Sequence, residues 1–84
     1  MWTGVQWTGT IGPGQTQLWF TWGWPAGWHV VWYMVPTTVQ NGVPEVDWDV
    51  SVERADANNC TYWITVTNLS STPITFEGRF AVLN

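Results

Sequence analysis

The chain has 84 residues, enough for one domain and too few to enclose a large core. It is 45% hydrophobic and only 10% charged, which argues against a disordered chain, since those are poor in apolar and rich in charged residues. The net charge is −4, Lys is absent, and Arg54 and Arg79 are the only basic side chains, so no nucleic-acid partner is expected. Anionic lipid is disfavoured on the same ground.

Cys60 is the single cysteine, so no intrachain disulfide can form, and it reads as a small, half-buried strand residue. No segment has the layout of a signal peptide. No apolar run approaches the roughly 18 residues of a membrane span, so no transmembrane segment is expected. The expected location is the cytoplasm, with non-classical release left open. Asn59-Cys60-Thr61 and Asn68-Leu69-Ser70 fit the glycosylation pattern but carry little weight without a secretory signal.

Val, Thr, Trp and Ile dominate, and turn signals recur at short intervals, from Gly12-Pro13-Gly14 to Ser70-Ser71-Thr72-Pro73. The reading is all-β: one domain over 1–84, a compact antiparallel β-sandwich or flattened barrel of about six strands, Trp-rich and oligomeric. The strands are predicted at about 2–11, 15–23, 28–36, 45–54, 60–69 and 73–83. Seven of the nine Trp fall in the first 32 positions, more indole than so short a chain readily hides.

The second predicted strand puts Trp19 on one face and Leu18, Phe20 and Trp22 on the other. The third is apolar on both faces, with Trp28, Val30, Trp32 and Met34 against His29, Val31, Tyr33 and Val35. Such a strand is either central or at a subunit interface. A tight turn at Pro25-Ala26 would pair the two strands, setting Trp19 opposite Trp32 and Trp22 opposite His29. Trp19, Trp22, Trp32 and Tyr33 are the expected contacts of a homo-oligomer. His29 reads as a core or interface imidazole. The tip Trp22–Trp28 reads as a second ligand platform through Trp24 and Trp28, or as a lipid-surface anchor.

The fourth strand alternates, with Val46, Trp48, Val50 and Val52 inward and Glu45, Asp47, Asp49, Ser51 and Glu53 outward. The fifth turns Tyr62, Ile64 and Val66 inward and Trp63 outward. The sixth turns Ile74, Phe76, Phe80 and Val82 inward and Glu77 and Arg79 outward. A meander of these three strands, with Val52 against Tyr62, Val50 against Ile64 and Trp48 against Val66, would line up Asp49-Thr65-Glu77 and Ser51-Trp63-Arg79 as outward rows. An exposed indole among carboxylates, hydroxyls and a guanidinium suits a pyranose, which stacks on the ring and hydrogen-bonds through its hydroxyls. The segment Trp63-Ile64-Thr65-Val66-Thr67-Asn68-Leu69 through Phe76-Glu77-Gly78-Arg79-Phe80 resembles a strand pair of bacterial immunoglobulin-like sandwiches. That grammar is generic and assigns no residue a role.

One His and one Cys cannot form a standard zinc site, no catalytic constellation assembles, and no cofactor or metal is expected. The sequence therefore points to a non-enzymatic carbohydrate-binding protein, a small multivalent lectin-like oligomer. Its glycan would meet Trp63, Arg79, Glu77 and Asp49, with Trp24 and Trp28 as the second site. One alternative is a structural self-assembling protein whose surplus Trp is subunit interface. Another is a lipid-surface binder acting through the Trp22–Trp28 tip.

Overall fold

The computed structural model describes all 84 residues. Six strands follow one another: β1 (Trp2–Ile11), β2 (Thr16–Pro25), β3 (Val30–Pro36), β4 (Val46–Arg54), β5 (Asn59–Asn68) and β6 (Ile74–Val82). They form two three-stranded antiparallel sheets, ordered β1-β6-β3 and β2-β5-β4. No helix is present. No closed barrel forms, and β1, β3, β2 and β4 are the sheet edges.

Only β4 and β5 are consecutive strands paired within one sheet. Their register is the predicted one, with Val52 opposite Tyr62, Val50 opposite Ile64 and Trp48 opposite Val66. Every other connection crosses between sheets. The expected β2–β3 hairpin does not form: β2 pairs with β5 and β3 with β6, so Trp19 lies opposite Ile64 and Trp32 opposite Phe80. The expected β4-β5-β6 meander breaks for the same reason, since β6 is the centre of the other sheet. The physical cause is burial. The inward face of β6 is wholly buried at Ile74, Phe76, Gly78, Phe80 and Val82, and a central position between β1 and β3 provides that cover.

The inner faces of both sheets supply one buried cluster. Ile11, Trp32, Met34, Ile74, Phe76, Phe80 and Val82 come from one sheet, and Trp24, Cys60, Tyr62, Ile64 and Val66 from the other. Trp7, Trp19 and Trp48 lean against this cluster. Five of the nine Trp are thus consumed by the core. Trp24 meets Trp32 edge to face at 5.1 Å and Phe80 at 5.2 Å, contacts that join the sheets. Such pairs add about 0.5–1.5 kcal/mol each beyond burial.

These large rings fit because the strand opposite each supplies a glycine. Gly4 faces Phe80, Gly9 faces Phe76, and Gly78 faces Trp7. A Cβ added at Gly78 would lie 2.6 Å from the Trp7 ring, and one at Gly9 would lie 2.8 Å from Phe76. The register reaches these pairs through an extra residue, Gln6, between Val5 opposite Arg79 and Trp7 opposite Gly78. That bulge shifts the parity of β1, so Trp2 and Gly4 before it and Trp7, Gly9 and Ile11 after it all face inward. A second bulge lies between Thr21 and Trp24, where Gly23 takes φ +79°.

Asn68 closes one end of the core. It is fully buried, and its Nδ2 donates toward the carbonyls of Ile11, Gly12 and Thr72 while its Oδ1 accepts from the backbone and hydroxyl of Ser70. Its amide is thereby engaged in holding two loops. At the other end β4 splays away: Val50 and Val52 face inward by register yet are 38% and 62% exposed. The predicted inward face of β4 is covered only at Val46 and Trp48.

Candidate functional site

The indoles predicted to meet a partner divide three ways. Trp32 is interior, 5% exposed, and Trp19 packs on the core beside Phe76 at 5.2 Å, so neither belongs to a free interface surface. Trp24 is likewise buried, and its Nε1 donates to Thr21 Oγ1 at 3.0 Å. It is not part of an exposed tip, because the Gly23 bulge turns it inward after Trp22 has pointed out. Trp28 is part-exposed at the end of the molecule, edge to face with Trp2 at 5.6 Å. His29 is exposed and not part of the core, with its Nδ1 3.1 Å from Asn84 Oδ1.

The outward residues split between the two sheets. Glu77, Arg79 and Tyr33 lie on the outer face of β1-β6-β3, where Arg79 stands opposite Tyr33 on one side and Val5 on the other. They line a shallow cavity of about 260 Å³ with Thr3, Gly4 and Val5. Inside it Arg79 Nη2 and Nε donate to Glu77 Oε1 at 2.7 and 2.9 Å. Tyr33 therefore belongs to a polar hollow. Trp63 and Asp49 lie on the outer face of β2-β5-β4. The predicted rows exist for two strands of three: Asp49 stands beside Thr65, and Ser51 beside Trp63, with Glu77 and Arg79 on the opposite side of the molecule.

The third strand of these rows is β2. Thr16, Thr67 and Asp47 form one cross-strand row; Leu18, Thr65 and Asp49 the next; Phe20, Trp63 and Ser51 the third. Trp22 stands at the bulge beyond Phe20, next to the row of Thr61 and Glu53. The period-two alternation of β2 thus puts Leu18, Phe20 and Trp22 in one outward stripe, 53%, 54% and 71% exposed. Phe20 stacks on Trp63 at 4.9 Å with 27° between planes, and Trp22 lies 5.7 Å from Phe20. Trp63 Nε1 donates to Glu53 Oε1 at 2.8 Å, which fixes the indole.

This face has an apolar aromatic rail on β2 and an oxygen-rich rail of Asp47, Asp49, Ser51 and Glu53 on β4, with Trp63, Thr65 and Thr67 between them. Phe20 and Glu53 were absent from the predicted site. The signal for Phe20 was its place between Leu18 and Trp22 in the alternation, and for Glu53 its shared parity with Asp49. Two titratable groups depart from their ordinary values, both off this face. The Asn58 backbone N–H, then the Asn59 side chain, hold the Asp56 carboxyl below 3.8, and burial raises the Tyr62 phenol above 10.0. No three His, Cys, Asp or Glu side chains converge in a way that would hold a metal ion. No helix is long and apolar enough to cross a membrane. No known protein family, curated protein or solved structure matches the chain.

Proposed function

We propose that the chain is a non-enzymatic carbohydrate-binding protein, a small β-sandwich lectin whose ligand lies across the outer face of β2-β5-β4. The observation that carries this reading is the exposed rail Leu18, Phe20 and Trp22 beside the fixed Trp63, on a chain whose core already consumes five other Trp. A pyranose presents an apolar C–H face to an aromatic ring and hydroxyl donors to carboxylates, and this sheet sets aromatic rings on β2 and β5 and carboxylates on β4, beside β5. Ser51 stands directly opposite Trp63 and Thr65 opposite Leu18, with Asp49 one row from Trp63 and Thr67 one row from Leu18. A single shallow face of this kind gives weak binding, which a multivalent homo-oligomer would strengthen.

Glycan-array binding followed by calorimetry tests the reading. Trp22→Ala and Trp63→Ala should each weaken binding of the selected glycan at least about tenfold, in line with the loss of one stacked ring. Loss in Arg79→Ala with retention in Trp22→Ala would move the site to the opposite sheet. Absence of binding to every glycan would end the carbohydrate reading.

Self-assembly is the second reading, favoured by the character of the edges. No Asp, Glu, Lys or Arg occurs before Glu45, so β1 is a ten-residue edge without a charged side chain. Its contacts would be edge to edge rather than through Trp19 or Trp32. Light scattering gives the mass directly, and substituting Lys for exposed Thr8 should reduce an edge-built oligomer to monomer.

A further inference from the structure

The charge on the aromatic face narrows the class of ligand. Asp47, Asp49 and Glu53 all point outward from β4, and none forms an ion pair. Asp47 accepts from its neighbour's backbone N–H, Glu53 accepts from Trp63, and Asp49 has no protein partner. The two basic side chains are elsewhere. Arg79 is paired with Glu77 on the other sheet, and Arg54 donates to the carbonyls of Asp56 and Ala57 in the β4–β5 turn. One face therefore carries three uncompensated carboxylates of a molecule whose net charge is −4.

These carboxylates are spread along the strand. With a rise of roughly 3.3 Å per residue, Asp47 and Asp49 stand about 7 Å apart and Glu53 about 13 Å beyond Asp49. That spacing is too wide to chelate one ion, in keeping with the absence of any cluster fit for a metal. It suits a chain that repeats its positive charge at intervals. The parallel rail of Leu18, Phe20 and Trp22 offers such a chain an apolar wall along its length. Two copies of this protein facing each other here would set like charges opposite, which costs energy at close approach.

We infer that the ligand of this face is an extended amino-sugar chain bearing free, protonated amines, with its rings against Phe20, Trp22 and Trp63 and its amines toward Asp47, Asp49 and Glu53. This inference rests on the carbohydrate reading above and adds its charge. A neutral chain would offer the carboxylates hydroxyl donors but no countercharge for their desolvation, and a uronic-acid chain would be repelled.

The test compares four probes by calorimetry at about pH 5.5, where ordinary carboxylates are ionised: a β-linked glucosamine hexamer, its fully N-acetylated form, a galacturonic-acid hexamer and a lysine hexamer. The glucosamine hexamer should bind at least about tenfold more tightly than the acetylated one and weaken as salt is raised. Asp47→Asn with Asp49→Asn should weaken the glucosamine hexamer about fivefold and the acetylated form less, since an amide oxygen still accepts from a hydroxyl but no longer attracts an ammonium group. Glu53 stays in place because it orients Trp63. Equal binding of both sugar hexamers, or preference for the acetylated one, overturns the inference and leaves the carbohydrate reading standing. So does preference for the galacturonic hexamer. Equal binding of the lysine hexamer overturns it too, because the face would then be reading charge and not sugar. Binding of none of the three saccharides overturns the inference, and the glycan array then decides the carbohydrate reading.

Discussion

At the residue scale, space decides more than propensity. Gly78 sits in the middle of a central strand, where an ordinary glycine would be a weakness. Here the Trp7 ring occupies the place of its side chain. Gly78→Ala should therefore cost about 1–3 kcal/mol through overcrowding. Gly27→Ala, where an added Cβ meets nothing within 4 Å, should be near neutral. Chemical denaturation of the two variants checks the difference. Two core indoles allow a parallel comparison. Trp24 Nε1 is hydrogen-bonded to Thr21, whereas Trp32 Nε1 is buried with no partner. Removing an orphaned donor returns its desolvation cost. Trp32→Phe should accordingly destabilise by about 1 kcal/mol less than Trp24→Phe, although both rings are interior. Asn68 is fully buried with its amide hydrogen-bonded at both ends. Asn68→Ala strips partners from several buried carbonyls and from Ser70, and a loss of about 2–3 kcal/mol is expected in the same assay. None of these three roles was legible in the sequence. Asn68 read as part of a glycosylation pattern and Gly78 as one more glycine, because each role depends on a residue brought in from a distant strand.

At the element scale, alternation was readable and its interruptions were not. The period-two pattern of β5 and β6 correctly assigned Tyr62, Ile64, Val66, Ile74, Phe76, Phe80 and Val82 to the interior, whereas on β4 Val50 and Val52 are exposed. On β2 the same pattern separated Trp19 from Leu18, Phe20 and Trp22 without telling which face is the inner one; the structure turns Trp19 inward and the other three outward. The pattern failed at Trp24, because the Gly23 bulge restarts the parity, and nothing local distinguishes that glycine from a turn residue. The β4–β5 turn shows how a short loop fixes a register. Asp56 Oδ1 accepts from the Asn58 N–H at 2.8 Å and from Asn59 Nδ2 at 3.2 Å, and Arg54 closes the turn from the other side. Those bonds favour the ionised carboxyl, so the folded value lies below the unfolded one. The sign follows: this stabilisation is fully present above the ordinary value of 3.8 and fades as pH falls through the depressed folded value. Melting of the unsubstituted chain and of Asp56→Asn should differ most at neutral pH and converge as the pH falls through the depressed folded value. A difference that grows on acidification would show that the turn is not held by this carboxylate.

At the scale of the whole molecule, the pairing pattern sets both what the sequence could reveal and how the chain must fold. Only β4 and β5 meet across a short loop, and theirs is the register that hydrophobic alternation predicted residue for residue. The other pairings join distant segments: β1 reaches β6 with Trp2 opposite Val82, and β2 reaches β5 with Thr16 opposite Thr67. Alternation is blind to such partners, since it says which face is buried and not which strand lies alongside. That is why the predicted glycan site was half assembled, with Trp63 and Asp49 together and Glu77 and Arg79 on the opposite sheet. The same non-local pattern delays folding, because loop-closure entropy is lost before the distant contacts can compensate. The β4–β5 hairpin is the pair with the smallest such loss and is expected to form first. Folding should be slow for the size of the chain, in the millisecond-to-second range of non-local β proteins. Asp56→Ala and Val66→Ala, in the hairpin, should lower the folding rate with little effect on unfolding. Ile11→Ala, at the far end of the β1–β6 pairing, should chiefly accelerate unfolding. Stopped-flow chevrons separate the two outcomes. If Ile11→Ala slows folding as strongly as Val66→Ala, the pairing of the two chain ends is already made at the transition state, and the hairpin does not lead.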